Sequence, residues 1–439
     1  MNMTLDSLFS IFSAYGCKKI FVKSLSPNDN SKNQVYLAGS FDILNVFPIK
    51  EIVADSSGNW ERDRFKASVD FLWITEEGNL SPAPKSQLIL YPKYPEIRFS
   101  GFLQKSENPP SGLMTIRLAE RLLFLAVTDH GQILGYVAHP DSSLATDFNS
   151  IKELEEYGVF KVYEIQSEKV AKEELLNQLQ RIHNLGYIES KRLDKDGSIL
   201  QCLAPNCGGY TLEAELGITP NGYSEPDFLG WELKQFGVSN FLRTQSAIIT
   251  LMTPEPTGGF YKEQGVVEFL RKYGYPDRNG KEDRINFGGV HRIGVLHPLT
   301  NLKMELIGFD ADIGKIKNSD GRIALIDDTG IEVATWSFAS LLKHWNKKHN
   351  LACYIPSLSQ IKPERKYWYG NKVTLGSGTD FTLVLQEMAA GNIYYDPGIK
   401  MENATKGTPK TKRRSQFRIK SGNLGNLYKM NEKLDLLNL

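Results

Sequence analysis

An acidic residue and a lysine stand two positions apart in SEPDFLGWELKQF, residues 224–236. If this segment is a strand, alternate side chains share a face, so Glu232 and Lys234 lie side by side and Leu233 points the other way. Asp227 falls at the start of the strand or in the turn before it and can bring a second carboxylate to the same place. Two carboxylates offer the hard oxygen ligands that suit Mg²⁺, which completes its shell with water and phosphate.

Metal-assisted hydrolysis of a phosphodiester is the chemistry that this set predicts. The metal would polarise the scissile phosphate and lower the pKa of a bound water, and Lys234 would orient or help deprotonate that water. A third acid, Glu213, lies fourteen residues before Asp227 in TLEAELG, which is predicted to form one or two helical turns. The product would be a cut phosphodiester bond.

An ion pair without function is the alternative for Glu232 and Lys234. An acid and a lysine at this spacing often form a surface ion pair that contributes little, and a buried salt bridge is a further possibility. The other residues of the segment are mostly apolar or aromatic. They predict a buried strand, where an unpaired acid or lysine is costly, and this cost favours a functional role.

The length and composition indicate two folded domains. A chain of 439 residues exceeds the usual size of one core, and 41% apolar and 11% aromatic residues exclude a disordered or fibrous protein. No apolar run is long enough to cross a bilayer, and the N-terminus lacks the basic flank of a secretory signal, so we expect a cytoplasmic protein without a membrane partner. With four cysteines we expect no disulfide framework, and Cys202 and Cys207 are expected to be ordinary thiols rather than zinc ligands.

Residues 1–145 are predicted to form a mostly β domain, a small barrel or sandwich, opened by a short helix over residues 5–15. Strand-like runs separated by Asn, Asp, Gly or Pro cover residues 19–25, 34–38, 87–91, 96–103, 122–127 and 133–138. Residues 146–164 are polar and acidic with little periodicity, and we predict that they form a linker.

Residues 165–439 mix helical and strand-like patterns, which predicts a second domain with an α/β fold. Helices are expected over residues 171–185, 265–273 and 338–348. Strands are expected over residues 230–236, 246–250, 302–309, 322–327 and 351–355.

The residues that carry the predicted chemistry resemble a known nuclease family. Glu213, Asp227, Glu232 and Lys234 follow the PD-(D/E)xK pattern, and GGYTLEAELGI and EPDFLGWELK are similar to segments of the MvaI/BcnI restriction endonucleases and their relative MutH. The resemblance implies a mixed sheet flanked by helices. It also implies that Asp227 and Glu232 hold the metal and that Lys234 is the catalytic lysine, while Glu213 matches the MutH position.

The same resemblance implies a mode of action. Members of this family are Mg²⁺-dependent monomers that cut short, near-palindromic sites of double-stranded DNA, and they nick the two strands in turn. A site of the CCNGG type is suggested. Such an enzyme acts in the cytoplasm of a prokaryote and has a cognate DNA methyltransferase as its genetic partner.

A second resemblance covers part of the N-terminal domain. FVKSLSPNDNSKNQVYLA, residues 21–38, is similar to the effector-binding domain of EcoRII, a β-pseudobarrel whose end loops enter the major groove of DNA. It implies DNA contacts by Lys23, Lys32 and Arg98. Residues 1–150 contain fourteen basic and sixteen acidic side chains, however, so a protein-contact or purely stabilising domain is the alternative.

Positive charge is concentrated near the C-terminus. Residues 400–439 contain ten basic and three acidic side chains, a net charge of +7, which attracts a polyanion. In KTKRRSQFRIK, residues 410–420, the alternation predicts a strand with Arg418 opposite its apolar neighbours. We expect Arg413, Arg414 and Arg418 to contact DNA, and a solvated basic tail is the alternative.

These predictions combine into a type II restriction endonuclease that cleaves duplex DNA with Mg²⁺ and is stimulated by a second DNA site bound at the N-terminal domain. A MutH-like or modification-sensing nickase is one alternative, and a catalytically inactive DNA-binding protein is another. His291 and His297 are expected to be ordinary core or surface residues rather than metal ligands.

Overall fold

The computed structural model describes residues 3–27, 33–55, 63–93, 96–165, 168–204, 206–219, 227–346 and 349–439, without the side chains of residues 168, 169, 344 and 346. The chain divides into two compact units, residues 1–170 and 171–439. The first is rich in β-structure and the second is mixed α/β, as predicted.

The N-terminal unit consists mainly of two antiparallel-rich sheets. Its described helices are α1 (Leu5–Ala14), α2 (Ser111–Thr115) and α3 (Ser143–Ser150). Its described strands are β1 (Lys19–Leu25), β2 (Val35–Ala38), β3 (Glu51–Asp55), β4 (Arg64–Ser68), β5 (Phe71–Ile74), β6 (Leu80–Pro82), β7 (Gln87–Tyr91), β8 (Glu96–Ser100), β9 (Arg121–Val127), β10 (Ile133–Ala138), β11 (Glu155–Tyr157) and β12 (Phe160–Glu164). A seven-stranded sheet has the order β11-β12-β1-β9-β10-β5-β6, and a five-stranded sheet has the order β2-β8-β7-β4-β3.

Simple periodicity explains how these elements are buried. In β4, Phe65 and Ala67 are buried, while Arg64 and Lys66 alternate with them on the opposite face. In α1, Leu8 and the other apolar residues at helical spacing belong to the core of the seven-stranded sheet. The predicted helix and strands of this unit are therefore present close to their predicted bounds.

The linker predicted over residues 146–164 is wrong. This segment contains most of α3 and both β11 and β12, and β12 pairs antiparallel with β1 inside the seven-stranded sheet. Only Phe160 and Val162 of β12 are buried, and the outer row is charged, with Lys19 of β1 bonded to Glu164 at 3.0 Å. The acidic residues therefore belong to solvent-facing strands, whose pairing with a strand near the start of the chain leaves no local signal.

The C-terminal unit combines helices with several sheets. Its described helices are α4 (Glu168–Asn184), α5 (Cys207–Glu215), α6 (Phe260–Tyr273), α7 (Phe338–Asn346) and α8 (Phe381–Ala389). Its described strands are β13 (Ile188–Glu189), β14 (Lys191–Leu193), β15 (Ile199–Gln201), β16 (Glu232–Gly237), β17 (Ile248–Met252), β18 (Tyr275–Pro276), β19 (Arg284–Gly288), β20 (Lys303–Ile307), β21 (Phe309–Asp310), β22 (Lys315–Ile316), β23 (Arg322–Ile326), β24 (Glu332–Ser337), β25 (Leu351–Gln360), β26 (Lys366–Tyr369), β27 (Lys372–Thr379), β28 (Tyr394–Tyr395), β29 (Gly398–Glu402), β30 (Lys410–Lys412), β31 (Phe417–Lys420) and β32 (Tyr428–Asp435).

One mixed sheet carries the predicted chemistry. Strands β13-β26-β25-β27-β32 follow one another in this order, and β16 pairs parallel with β25. Ala352 and Tyr354 of β25 each pair with both β16 and β27, so β25 lies between these two strands. Leu175 and Leu179 of α4 share one buried cluster with Leu233 of β16. The predicted mixed sheet flanked by helices is confirmed.

Cys202 and Cys207 form a disulfide, which corrects the prediction of two ordinary thiols. Cys202 follows β15 and Cys207 begins α5, so the connection between these elements brings the two residues to a Cα–Cα distance of 5.8 Å. Cys17 and Cys353 are buried free cysteines, and burial raises the pKa of the Cys17 thiol to about 12. Among the helices in the described part of the chain, none is long and apolar enough to span a membrane.

Candidate active site and nucleic-acid contacts

A tight turn places Asp227 against the strand that follows it. Phe228 N donates to Trp231 O at 3.0 Å, and Trp231 N donates to Phe228 O at 2.8 Å. The two residues between them have φ values of 49° and 92°, as a two-residue turn of this hand requires. The turn folds Asp227 back onto β16, where its Oδ2 accepts a hydrogen bond from the backbone N–H of Leu233 at 2.8 Å.

Strand β16 brings Glu232 and Lys234 together, as predicted. Lys234 Nζ donates a hydrogen bond to Glu232 Oε1. Only 2% of the Glu232 side chain is exposed, whereas 25% of the Lys234 side chain is exposed. Trp231 and Leu233 are buried, so the predicted buried strand is confirmed. The site is therefore a desolvated carboxylate whose charge partner reaches solvent.

Helix α5, which carries Glu213, is fixed through one of its faces. Cys207, Thr211 and Glu215 recur every four residues, so they lie in one row. Cys207 is held by the disulfide, Thr211 Oγ1 exchanges two hydrogen bonds of 3.1 Å with the backbone of Lys191, and Glu215 bonds Lys191 Nζ at 2.5 Å. This attachment sets the position of Glu213, which is half-buried.

The start of α5 also packs on β16. Gly208 lies against Gln235 of β16, because a Cβ on Gly208 would lie 2.6 Å from Gln235 Oε1. The carbonyl of Gly208 accepts a hydrogen bond from the Tyr369 hydroxyl at 2.7 Å. Gln235 and Lys234 point to opposite faces of β16. The structure thus brings Asp227, Glu232 and Lys234 together, and the role of Glu213 stays a prediction.

Two buried tyrosines lie beside Glu232, and sequence reasoning missed them. Tyr354 stands opposite Lys234 in the register of β16 and β25, so it shares the face of Glu232 and Lys234. Its hydroxyl is hydrogen-bonded to the Tyr428 hydroxyl at 2.8 Å. Burial, with the nearby negative charge of Glu232, raises the pKa of both phenols. Only the register of distant strands joins these residues, which no local pattern shows.

The donor set fits a small divalent cation with few protein ligands. Asp227 and Glu232 supply hard oxygen donors, and Lys234 balances part of their charge. Within the described ranges, no cluster of three or more His, Cys, Asp or Glu side chains is arranged to hold a metal. Mg²⁺ takes one or two carboxylates and keeps water and phosphate ligands, so the two carboxylates suffice for it.

Two of the predicted DNA contacts in the N-terminal unit lie beside one tyrosine. Tyr36 of β2 pairs in register with Arg98 of β8, so both side chains lie on the same face of the five-stranded sheet. Lys23 Nζ lies 5.8 Å from the centroid of the Tyr36 ring, and burial lowers the pKa of Lys23. Arg98 Nε donates to Glu96 Oε1 at 2.7 Å. The third predicted contact, Lys32, lies outside the described residues.

The same face of this sheet holds a polar cavity of about 380 Å³ that the sequence did not reveal. Amide and basic side chains dominate its lining, among them Arg64, Lys66, Gln87 and Gln104. Asp55 holds the two cations in place, at 2.9 Å from Arg64 Nε and 2.7 Å from Lys66 Nζ. Amide and guanidinium groups are those that read base edges and phosphates.

The basic residues near the C-terminus differ in their exposure and in their ion pairing. Arg413 and Arg414 are exposed after β30. Arg418 lies on the middle strand of the sheet β17-β31-β28, and its apolar neighbours are buried, as the alternation predicted. Its Nη1 donates to Asp396 Oδ2 at 2.6 Å. The structure therefore places an ion pair where a single cation was predicted.

His291 and His297 pack inside the protein. Their rings are stacked with centroids 4.1 Å apart, and His291 Nε2 and His297 Nδ1 lie 3.0 and 3.1 Å from Thr300 Oγ1. Burial and the neighbouring His297 lower the pKa of His291 to about 3, so this imidazole is neutral at pH 7. Both histidines therefore lie in the core, one of the two ordinary positions expected of them.

Comparison with known proteins identifies the C-terminal unit. Residues 176–428 match the model of the MvaI/BcnI restriction endonuclease family. Two similar solved structures are the restriction endonuclease MvaI with cognate DNA substrate (21% identity, TM-score 0.45, 61% of this chain and 99% of that chain) and MvaI in the absence of DNA (20% identity, TM-score 0.34, 62% and 99%). A search of curated proteins finds no match. The family match stops short of the N-terminal unit but spans more than half of the chain, which therefore belongs to the MvaI/BcnI restriction endonuclease family.

Proposed function

We propose that this protein is a type II restriction endonuclease that hydrolyses duplex DNA at a specific site with Mg²⁺. One observation carries the proposal. The buried carboxylate of Glu232 contacts Lys234, and the backbone N–H of Leu233, the residue between them, donates a hydrogen bond to Asp227. This arrangement occurs in a chain of the MvaI/BcnI nuclease family. Burying such a charged pair costs desolvation free energy and seldom makes the fold more stable. A role in a reaction therefore explains the buried pair better than a role in stability does.

Each residue of the site has a separate role in this proposal. Asp227 and Glu232 hold the cation, which supplies a Lewis acid and a bound water of lowered pKa. Lys234 orients the attacking water and balances negative charge on the phosphate. Glu213 is proposed as a third acid of the site. If a Glu213→Gln variant cleaves DNA at the wild-type rate, Glu213 is not one of the catalytic residues.

Digestion of unmethylated phage DNA tests the function. Discrete fragments in the presence of Mg²⁺, and none with EDTA, are the expected result, and sequencing of the ends would give the recognition site, for which we expect the CCNGG type. Stable single-strand nicks would instead indicate a MutH-like nickase. No cutting of modified or unmodified DNA would indicate an inactive DNA-binding protein.

The proposal includes a monomeric enzyme and a cognate DNA methyltransferase that protects the host. Sedimentation of the DNA complex as a protein dimer would contradict the first point. Cleavage of fully methylated host DNA at the wild-type rate would contradict the second.

We also propose that the N-terminal unit binds a second copy of DNA. The face that carries Tyr36 and Arg98 also carries the polar cavity, and Lys23 of the other sheet lies beside Tyr36, so cations, amides and an aromatic ring are close together. Cations that position a phosphate backbone and amides that read bases are the two requirements of a DNA-binding surface. This combination supports DNA as the ligand despite the excess of acidic residues.

A plasmid with two sites is expected to be cut at least about tenfold faster than a plasmid with one, because tethering raises the effective concentration of the second site. An oligonucleotide that contains the site should stimulate cleavage of the one-site plasmid. Arg98→Ala should remove this stimulation and keep the basal rate, whereas Arg117→Ala, an exposed arginine of the same unit, should keep both. Equal rates on both plasmids, unchanged by the oligonucleotide, would contradict the second site.

The exposed Arg413 and Arg414 are proposed to contact DNA phosphates. Replacing both with alanine is expected to lower the slope of log affinity against log salt by about 2, since each phosphate contact releases about one counterion. Fluorescence anisotropy with Ca²⁺ at increasing salt would measure this slope. The double replacement of Arg192 and Lys195, two exposed cations around β14, removes the same charge and should leave the slope unchanged.

Arg418 is proposed to make a specific contact, because Asp396 holds its guanidinium in one orientation. Arg418→Ala should therefore weaken binding to the site more than binding to unrelated DNA. An equal loss on both DNAs would make Arg418 a phosphate contact.

A further inference from the structure

Small side chains leave a trough next to the catalytic carboxylate. The register of the mixed sheet aligns Glu232 of β16 with Ala352 of β25 and with Gly376 of β27. Partners in register project on the same face, so this row contains one long side chain followed by a methyl group and a hydrogen. The face of the sheet beside Glu232 therefore has room for a side chain from another part of the chain.

Tyr428 occupies this trough. A Cβ on Gly376 would lie 2.4 Å from Cδ2 of Tyr428 and 2.6 Å from its Cε2 and Cγ, so the ring lies where any larger residue would clash. The Tyr428 hydroxyl reaches the hydroxyl of Tyr354, which follows Ala352 by two positions and so shares its face. Both tyrosines are buried, with 5% of Tyr428 and 1% of Tyr354 exposed.

The two hydroxyls carry two protons, and the hydrogen bond between them uses only one. Each phenol carries one O–H, and the hydrogen bond between them consumes a single donor. A buried O–H requires an acceptor, because leaving it unsatisfied costs about 1–3 kcal/mol. Glu232 is the buried carboxylate on this face, diagonal to Tyr354 across the pairing of β16 with β25. Diagonal neighbours on adjacent strands are within reach of aromatic side chains.

We propose that Tyr354 and Tyr428 are positioning residues that direct the remaining hydroxyl proton to Glu232 and fix its orientation for the divalent cation. The inference rests on the proposed function and adds two residues to it. In this role both tyrosines act through Glu232 and not as ligands of the cation. Outer hydrogen bonds of this kind orient ligating carboxylates, and their loss commonly lowers metal affinity by about 10–100-fold.

The variants Tyr354→Phe and Tyr428→Phe test the inference, because each removes one hydroxyl and keeps the ring. Each is expected to bind Mn²⁺ about tenfold more weakly than the wild type, measured without DNA by electron paramagnetic resonance of the free ion. Each should also need about tenfold more Mg²⁺ for half-maximal cleavage, with a much smaller change in the rate at saturating Mg²⁺. A role in packing alone would lower thermal stability without moving either metal dependence.

Tyr136→Phe is the matched control. Tyr136 is also a buried tyrosine whose hydroxyl donates to a carboxylate, Glu76 Oε1, at 3.0 Å, but it lies in the N-terminal unit. Its replacement should leave Mn²⁺ affinity and the Mg²⁺ requirement unchanged. A loss equal to that of the other two variants would overturn the inference.

The outcomes separate this inference from the proposed function. Wild-type Mn²⁺ affinity in both variants, in a protein that still cuts DNA, would overturn the positioning role and leave the nuclease intact. A wild-type protein that neither cuts DNA nor binds Mn²⁺ would overturn the proposed function itself. If Tyr428→Phe fails to fold, Tyr354→Phe decides the question, because its hydroxyl is the other half of the same hydrogen bond.

Discussion

Replacing Lys234 with alanine is expected to slow DNA cleavage by at least about a thousandfold and to leave DNA binding in place. Lys234 contacts Glu232 and is partly exposed, so its charge lies between the buried carboxylate and the space where a phosphate would bind. Alanine removes that charge and the group that orients the water. Single-turnover cleavage of a duplex with one site would measure the rate, and anisotropy with Ca²⁺ would measure binding.

Lys303 offers a matched control for this variant. It stands two positions before Glu305 on β20 and bonds that glutamate at 2.9 Å, but 46% of Lys303 and 39% of Glu305 are exposed. Lys303→Ala thus breaks an ion pair of the same spacing on a surface strand, where it is expected to change little. Wild-type cleavage by Lys234→Ala would show that the chemistry lies elsewhere. An equal loss in both variants would indicate a general effect of charge.

Replacing Arg121 with methionine is expected to lower the free energy of unfolding of the N-terminal unit by about 3 kcal/mol. Only 1% of Arg121 is exposed, and burial lowers its pKa. Its guanidinium donates to the carbonyls of Leu118 at 2.7 Å, Leu113 at 2.5 Å and Ser26 at 2.8 Å. Methionine fills similar space but leaves these three acceptors without their charged donor.

Native-state hydrogen exchange of β1 and β9 would measure this loss of stability separately for the N-terminal unit. Arg121→Lys keeps the charge with fewer donors and should give an intermediate value. Arg117→Met, at an exposed position four residues earlier, should stay within about 0.5 kcal/mol of the wild type. Equal stability of Arg121→Met and Arg117→Met would show that the carbonyls find other donors.

The sequence predicted well the features that depend on neighbouring residues. Runs of β-branched and aromatic residues between turn residues predicted the strands Lys19–Leu25 and Ile133–Ala138 at their observed bounds. Alternation placed Glu232 and Lys234 on one face. The turn before β16 was predicted only in outline. The pairing of Asp227 Oδ2 with the Leu233 amide depends on backbone dihedrals that a propensity does not specify.

Features that depend on contacts between distant parts of the chain could not be predicted from the sequence. The contact between Tyr354 and Tyr428 requires the register of β25, β27 and β32 together, and the residue that permits it is a glycine in an otherwise ordinary strand. The assignment of residues 146–164 to a linker failed for the same reason, because β12 finds its partner in β1. The disulfide between Cys202 and Cys207 depends on the path of a short connection rather than on spacing.

The position of Tyr428 near the end of the sheet's sequence affects when the sheet can form during synthesis. Glu232 precedes Tyr428 by 196 positions, and β32, which begins with Tyr428, pairs with β27 in the same sheet. At a synthesis rate of about 5–20 residues per second, roughly 10–40 s separate the two residues on the ribosome. The sheet that holds the carboxylates cannot be completed during this interval. The sheet around the site is therefore complete only after β32 has been made, long after its carboxylates.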